Sequence, residues 1–202
     1  CKIWSTRFKM AETIHFPSTS DLADRIHRTK DIVDSLNVSS VADIGGADYY
    51  NFCNDNNIRY TSLNLEEPQK TGTGGYHKNS HTITYDGITI PLQSKSNDLV
   101  IVNFVLHHAP DEALRLLNQI RNISKKYVLI GEDVAGLDHE ISWHVRNFNH
   151  QPGGLFRSDK EWQELFKIYK MNLRRKYIIH RNDDPDPNKI YRCLYLLEVQ
   201  NG

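Results

Sequence analysis

The stretch Val41-Ala42-Asp43-Ile44-Gly45-Gly46-Ala47-Asp48 places an acid and then two glycines at the end of a short apolar run. Glycine tolerates positive φ and close backbone approach, so such a turn can hug a ligand where a strand ends. The pattern recurs downstream, where Asn64-Leu65-Glu66, Asp86-Gly87, Asn103-Phe104 and Glu132-Asp133 each close an apolar or alternating run. Turn preferences alone often place Asp, Asn and Gly at strand ends, but polar residues at every successive end are more than a sheet requires. His107 and His108 follow closely, and with Glu132 and Asp133 they are the candidates for moving a proton, because histidine titrates near neutrality. Joined by His139 or His144, the same groups form the sharpest candidate for a divalent metal site. Ligand spacing does not support that site, and no metal is expected.

The elements that must position these residues alternate in type. A helix is predicted from about Ser20 to Leu36, with Leu22, Ile26, Ile32, Val33 and Leu36 at helical spacing. Strand Val41–Ile44, a helix over Asp48–Asn56 and strand Arg59–Leu65 follow. Residues 66–80 read as a Gly- and Lys-rich loop, and His81–Tyr85 as a strand. Asp98–Phe104 is nearly all apolar, as expected of a strand buried on both faces of a parallel sheet. A helix over Asp111–Ile123 with Ala113, Leu114, Leu117 and Ile120 on one face leads to strand Tyr127–Ile130. Ser158 and Glu161 have the spacing of a capping box, opening a helix whose buried face is Trp162, Leu165, Phe166 and Tyr169. Lys176–His180 and Tyr191–Val199 are too close in sequence for a crossover, so they are expected to be antiparallel.

The chain has 202 residues, 39% of them hydrophobic, enough for one compact domain with a real core. Residues 1–17 have no period and read as an arm or lid, 18–202 as a single domain. Lys plus Arg and Asp plus Glu are 25 each, so no global field draws the chain to nucleic acid or to an anionic membrane. No apolar run has the length of a membrane span. Cys1, Cys53 and Cys193 lack metal-ligand spacing and suit buried thiols in a reducing, cytoplasmic setting. Cys1 in place of an initiator methionine is read as a trimmed start.

VADIGGADYY, then YTSLNLEE, then TYDGITIPLQSKSNDLVIVNFVLHHAPDEAL resemble the class I S-adenosylmethionine-dependent methyltransferases. The resemblance covers residues 20–200 and is most specific in its middle segment, of the form DG…P…S.DLV….LHH. It implies a Rossmann-like α/β fold. That fold is a seven-stranded, mostly parallel sheet with a closing antiparallel strand pair and helices on both faces. It also implies the cofactor S-adenosyl-L-methionine, whose amino-acid end, ribose and adenine need no phosphate cradle.

On that resemblance Asp43, Gly45, Gly46 and Ala47 meet the amino-acid end, and Asn64 or Glu66 the ribose hydroxyls. Asp86 and Gly87 take the adenine amino group, Leu65 and Ile88 flank the ring, and Asn103 and Phe104 border the methyl group. Arg25 or Arg28 could pair with the cofactor carboxylate. His107, His108 and Glu132 are the implied catalytic groups. The 134–156 segment sits where relatives carry substrate-recognition insertions, so Asp133, His139, Trp143, His144, Arg146 and His150 are the implied acceptor contacts. Two departures stand out: Ala47 and Tyr49 replace family glycines, and Asn64 replaces the acid of the second strand. The expected activity is methylation of an oxygen or nitrogen of a small molecule. The alternatives are an RNA or protein acceptor, helped by Lys125-Lys126 and Arg174-Arg175-Lys176, and a methyltransferase-like scaffold without activity.

Overall fold

The computed structural model describes residues 11–16, 22–46, 48–65, 82–135, 155–179 and 191–200. Its strands are β1 (Glu12–Phe16), β2 (Ser40–Ile44), β3 (Arg59–Leu65), β4 (Thr82–Tyr85), β5 (Asn97–Asn103), β6 (Ser124–Val134), β7 (Met171–Ile179) and β8 (Tyr191–Val199). The helices are α1 (Leu22–Asp34), α2 (Tyr50–Asp55), α3 (Ala113–Ile123) and α4 (Asp159–Ile168), with a 3-10 turn at Leu106–His108. The strands form one sheet in the order β1-β7-β8-β6-β5-β2-β3-β4. Only β8 runs antiparallel to its neighbours β6 and β7. This is a mixed α/β, Rossmann-like architecture, and the strand order reverses between β2 and β5.

Among the described residues the sheet has eight strands, where seven were expected. The additional strand, β1, comes from the segment read as an arm and pairs in parallel with β7 through Glu12↔Arg175 to Phe16↔Ile179. Only Ile14 and Phe16 of its five residues turn toward the core, a run too short to stand out as a period. The same effect hides the start of β7, which begins at Met171 and not at Lys176. There Asn172, Arg174 and Arg175 look to solvent while the backbone pairs with β8, and a register shift falls between Leu173 and Arg175.

Two apolar cores cover the two faces of the sheet. One packs α3 and α4 through Leu116, Leu117, Ile120, Trp162 and Phe166 against Val100, Val102, Val128 and Ile130. The other packs α1 and α2 through Ile32, Val33, Tyr49 and Cys53 against Leu99, Ile101 and Leu129. Strand alternation explains the division, since even and odd positions of β5 and β6 point to opposite faces. On α3 the buried stripe is Ala113, Leu116, Leu117, Ile120 and Ile123. Leu114, expected on that face, is exposed, because a position one step from Ala113 is turned about 100° away from it. The capping box at α4 is present: Ser158 Oγ accepts from the Glu161 N–H, and Glu161 Oε2 accepts from the Ser158 N–H at 2.7 Å. Cys53 and Cys193 are buried free thiols. Among the described residues no helix is long and apolar enough to cross a membrane.

Candidate functional site

The parallel strands deliver their carboxyl ends to one edge, and the glycine turn after β2 is its tightest feature. Gly45 adopts φ +78°, and a Cβ there would lie 2.5 Å from Val105 Cγ2. Its N–H donates to the Leu63 carbonyl at 2.7 Å, which ties the turn to β3. A Cβ on Gly46 would stand 2.6 Å from both carboxylate oxygens of Asp43. Asp43 is itself buried, and its Oδ2 accepts from the Tyr60 hydroxyl at 2.6 Å. Burial pushes the Asp43 carboxyl up to about 7, with the Asp48 charge adding to the rise and the Tyr60 bond opposing it. Asn64 Nδ2 donates to the Gly46 carbonyl at 2.9 Å, which leaves its Oδ1 as the amide's acceptor.

Next to this turn, Asp86 Oδ1 accepts from the N–H groups of Ile88 at 2.8 Å and Thr89 at 2.6 Å. Those two bonds hold its carboxyl below the usual range. Gly87, at φ +79°, lets the chain turn against Leu65, whose Cδ2 would lie 2.9 Å from an added Cβ. Leu65 and Ile88 are both exposed, so two large apolar side chains face solvent beside a carboxylate. Gln119 of α3 clamps the segment, accepting from the Ile90 N–H and donating to the Ile88 carbonyl.

At the end of β5, Asn103 Nδ2 donates to Tyr49 Oη at 2.8 Å and to Thr29 Oγ1 at 3.2 Å. Asn103 Oδ1 is buried beside Gly131 and accepts nothing. Phe104 follows in the left-handed region at φ +59°, a conformation few bulky residues take. The Arg25 guanidinium lies 4.3 Å from the Phe104 ring centre and that of Arg192 lies 5.9 Å from it. Arg192 Nε donates to Asp133 Oδ1 at 3.3 Å.

The other face of the same strand ends holds a closed pair. His107 Nδ1 and Glu132 Oε2 are 2.6 Å apart, with side chains 7% and 0% exposed. Glu132 Oε1 accepts from the Leu106 N–H at 2.8 Å. The Phe156 ring stacks on His107 at 5.0 Å, and the Leu155 N–H donates to the His107 carbonyl. Burial works against a charge on His107, but the Glu132 hydrogen bond and charge outweigh it and raise the imidazole. Burial also raises Glu132, against the pull of His107. The two groups therefore share one proton near neutrality. His108 is exposed, with its ring 3.8 Å from that of His107.

Asp43, Gly45, Gly46, Asn64, Leu65, Asp86, Gly87, Asn103 and Phe104 thus lie along one edge of the sheet. Glu132 and Asp133 are consecutive on β6 and point to opposite faces, so the structure separates Asp133 from the His107–Glu132 pair. No group of three His, Cys, Asp or Glu residues that could hold a metal is found among the described residues. Ala47, Glu66, His139, Trp143, His144, Arg146 and His150 lie outside the described residues. Sequence reading missed Tyr60, Tyr49, Thr29 and Arg192. Tyr60 was findable, since it shares the period-two face of β3 with Asn64; Arg192 carried no signal beyond a charge near the start of a strand.

No family model and no curated protein matches the sequence. Solved structures do match in fold. One is a chain from the complex between the Haloferax volcanii Trm112 methyltransferase activator and a methyltransferase. It is 16% identical, with a TM-score of 0.65 over 88% of this chain and 92% of the other. Another is the [4+2]-cyclase SpnF, 13% identical, with a TM-score of 0.64 over 87% of this chain and 81% of the other. A third is human N-acetylserotonin methyltransferase in complex with S-adenosylmethionine, 15% identical, with a TM-score of 0.57 over 88% of this chain and 55% of the other. Fold is what these identities establish, and the cyclase marks how far chemistry can vary upon it.

Proposed function

We propose that this protein is an S-adenosylmethionine-dependent methyltransferase acting on an oxygen or nitrogen of a small molecule. The observation that carries the reading is the Gly46–Asp43 contact, a cradle that any Cβ would fill, at the point where strand order reverses. A buried carboxylate behind bare backbone suits a ligand bearing an ammonium, and a phosphate would meet repulsion there. The residues therefore fit the cofactor's amino-acid end. When bound, the cofactor supplies a methyl group activated on a sulfonium.

The chain's own groups do the holding. Asp43 faces the ammonium, Gly45 and Gly46 allow close approach, and Asn64 Oδ1 accepts from a ribose hydroxyl. Asp86, with both described bonds on Oδ1, keeps Oδ2 for the adenine amino group between Leu65 and Ile88. His107 and Glu132 are positioning residues that lock the ends of β5 and β6. His108, exposed beside them, is the group that exchanges a proton with a bound acceptor. Positioning alone carries much of such a displacement.

A small acceptor is favoured over RNA by the state of the basic runs. Lys125 pairs with Asp98, Arg174 with Glu198, Arg175 with Glu12 and Lys176 with Asp159. A scaffold without cofactor binding is the second reading, favoured by the commitment of the Asn64 amide to Gly46. Calorimetry with S-adenosylmethionine and S-adenosylhomocysteine separates the two. Saturable binding of both is the expected result, and no heat at millimolar cofactor would sink the enzyme reading.

A further inference from the structure

Arg25, in the first turn of α1, makes no hydrogen bond and no ion pair among the described residues. Its Nε is closed off from solvent without an acceptor. Nε is one of the guanidinium's five donors, and leaving it dry and unmatched is unfavourable unless a ligand completes it. Its neighbours make its situation worse, because Arg192 lies within electrostatic reach and, after burial, is the next cause depressing the Arg25 pKa. Asp133 is engaged by Arg192, and Asp48 adds only a weaker field. Two guanidiniums thus meet beside the Phe104 ring, with Asp133 bonded to one of them and Asp48 acting on the other at longer range. The left-handed backbone fixes that ring beside both guanidiniums, 4.3 Å from Arg25 and 5.9 Å from Arg192.

The position of the cluster says which partner it serves. Phe104, Asp133 and Arg192 stand at the ends of β5, β6 and β8, while the glycine turn, Asn64 and Asp86 belong to β2, β3 and β4. From β2 to β8 is three strand spacings, about 14 Å. Phe104, on β5, is one spacing from β2, and Val105 packs on Gly45, so the cluster runs from the border of the cradle across the switch point to β8.

We propose, resting on the methyltransferase reading above, that Arg25 and Arg192 beside the Phe104 ring bind a carboxylate of the acceptor, which is a small organic acid. A planar carboxylate matches the guanidinium fork. The edge of the Phe104 ring favours an acid whose carboxylate sits on a flat apolar body.

The test uses the whole chain saturated with S-adenosylhomocysteine and follows arginine Nε–H resonances while sodium benzoate is added. Benzamide and inorganic phosphate serve as the neutral and the phosphate controls. The expected result is that benzoate shifts the resonances and saturates, and that Arg25→Gln and Arg192→Gln each weaken it by about tenfold or more. Arg25→Lys, which keeps the charge and loses the fork, is expected to fall between wild type and Arg25→Gln. S-adenosylhomocysteine affinity is expected to stay within about twofold in every variant. Folding of each variant is checked by its circular dichroism melt, and the two arginines provide independent arms.

Benzoate binding that is absent in the wild type or unchanged in both glutamine variants overturns the proposal. Equal binding of benzamide overturns it, as does tighter binding of phosphate. If Arg25→Gln costs S-adenosylhomocysteine affinity and spares benzoate, the occupant is the cofactor's own carboxylate and the proposal falls. A wild type that binds benzoate but not S-adenosylhomocysteine retains the subsite and refutes only the methyltransferase reading.

Discussion

Gly46 and Asp43 occupy a space that admits a carboxylate or a methyl group but not both. An added Cβ would stand 2.6 Å from each Asp43 oxygen, and Tyr60 holds that carboxylate in place at 2.6 Å. Gly46→Ala is therefore expected to destabilise the fold by about 1–3 kcal/mol, as overpacking does. It is also expected to weaken S-adenosylhomocysteine by more than about tenfold, since the displaced carboxylate and turn no longer match the ligand. Urea denaturation and calorimetry check the two effects separately. A variant that is fully stable and still binds would remove the cradle from the site.

The same carboxylate makes stability depend on pH. Its folded-state pKa of about 7 lies above the ordinary 3.8, so between those values the folded protein holds a proton the unfolded chain has released. The contribution is fully present below about pH 4 and is lost as pH rises through about 7. Its ceiling is on the order of 4 kcal/mol. Asp43→Asn keeps an acceptor for Tyr60 and is expected to flatten this slope, read from urea midpoints across pH. Cofactor affinity should move the other way in the wild type, rising through pH 7 as Asp43 ionises to meet an ammonium.

His107 and Glu132 give a second, separable titration. Their shared proton stabilises the fold below the ordinary histidine value of 6.5, and the stability is lost as pH rises through the raised value. His107→Ala leaves Glu132 buried without its cation and is expected to cost about 3–5 kcal/mol. In Glu132→Gln the amide preserves both hydrogen-bonding positions, so burial prevails and the His107 pKa is expected to fall below 6.5. Proton NMR of the imidazole follows this directly, and an unmoved value would mean that Glu132 is not what raises it.

Asp86 closes its own turn and is proposed to meet the adenine, and one substitution can separate the two. Asp86→Asn retains an acceptor for the Ile88 and Thr89 N–H groups, so the turn and the overall stability are expected to persist. The amide cannot offer a second carboxylate oxygen to an adenine amino group, and S-adenosylhomocysteine should bind about tenfold to a hundredfold more weakly. Equal affinity would place the adenine elsewhere.

Apolar periodicity made most of the fold legible. β3 and β8 have the boundaries read from sequence, and Ser158 and Glu161 announce α4, because burial of one face and a capping box leave local marks. At the edge the marks are short: β1 turns only Ile14 and Phe16 inward, and Arg174 and Arg175 hide the start of β7. In the site, glycines and strand-end acids were visible because their backbone demands are local. The Asn103–Tyr49–Thr29 network and the Arg25–Phe104–Arg192 arrangement were not visible, since each joins residues from three distant elements that only the folded sheet brings together.

β1 lies along β7 with Phe16 stacked on Tyr177 at 5.7 Å, and the Arg28 guanidinium covers the Phe16 ring at 4.3 Å. Bare, the 175–179 backbone would offer N–H and C=O groups to any extended peptide, including the same strand of another copy. The short strand therefore replaces a nine-residue edge by a five-residue one that carries exposed Glu12 and His15. Removal of β1 would leave the strand-end site untouched and open the longer edge of β7 to pairing.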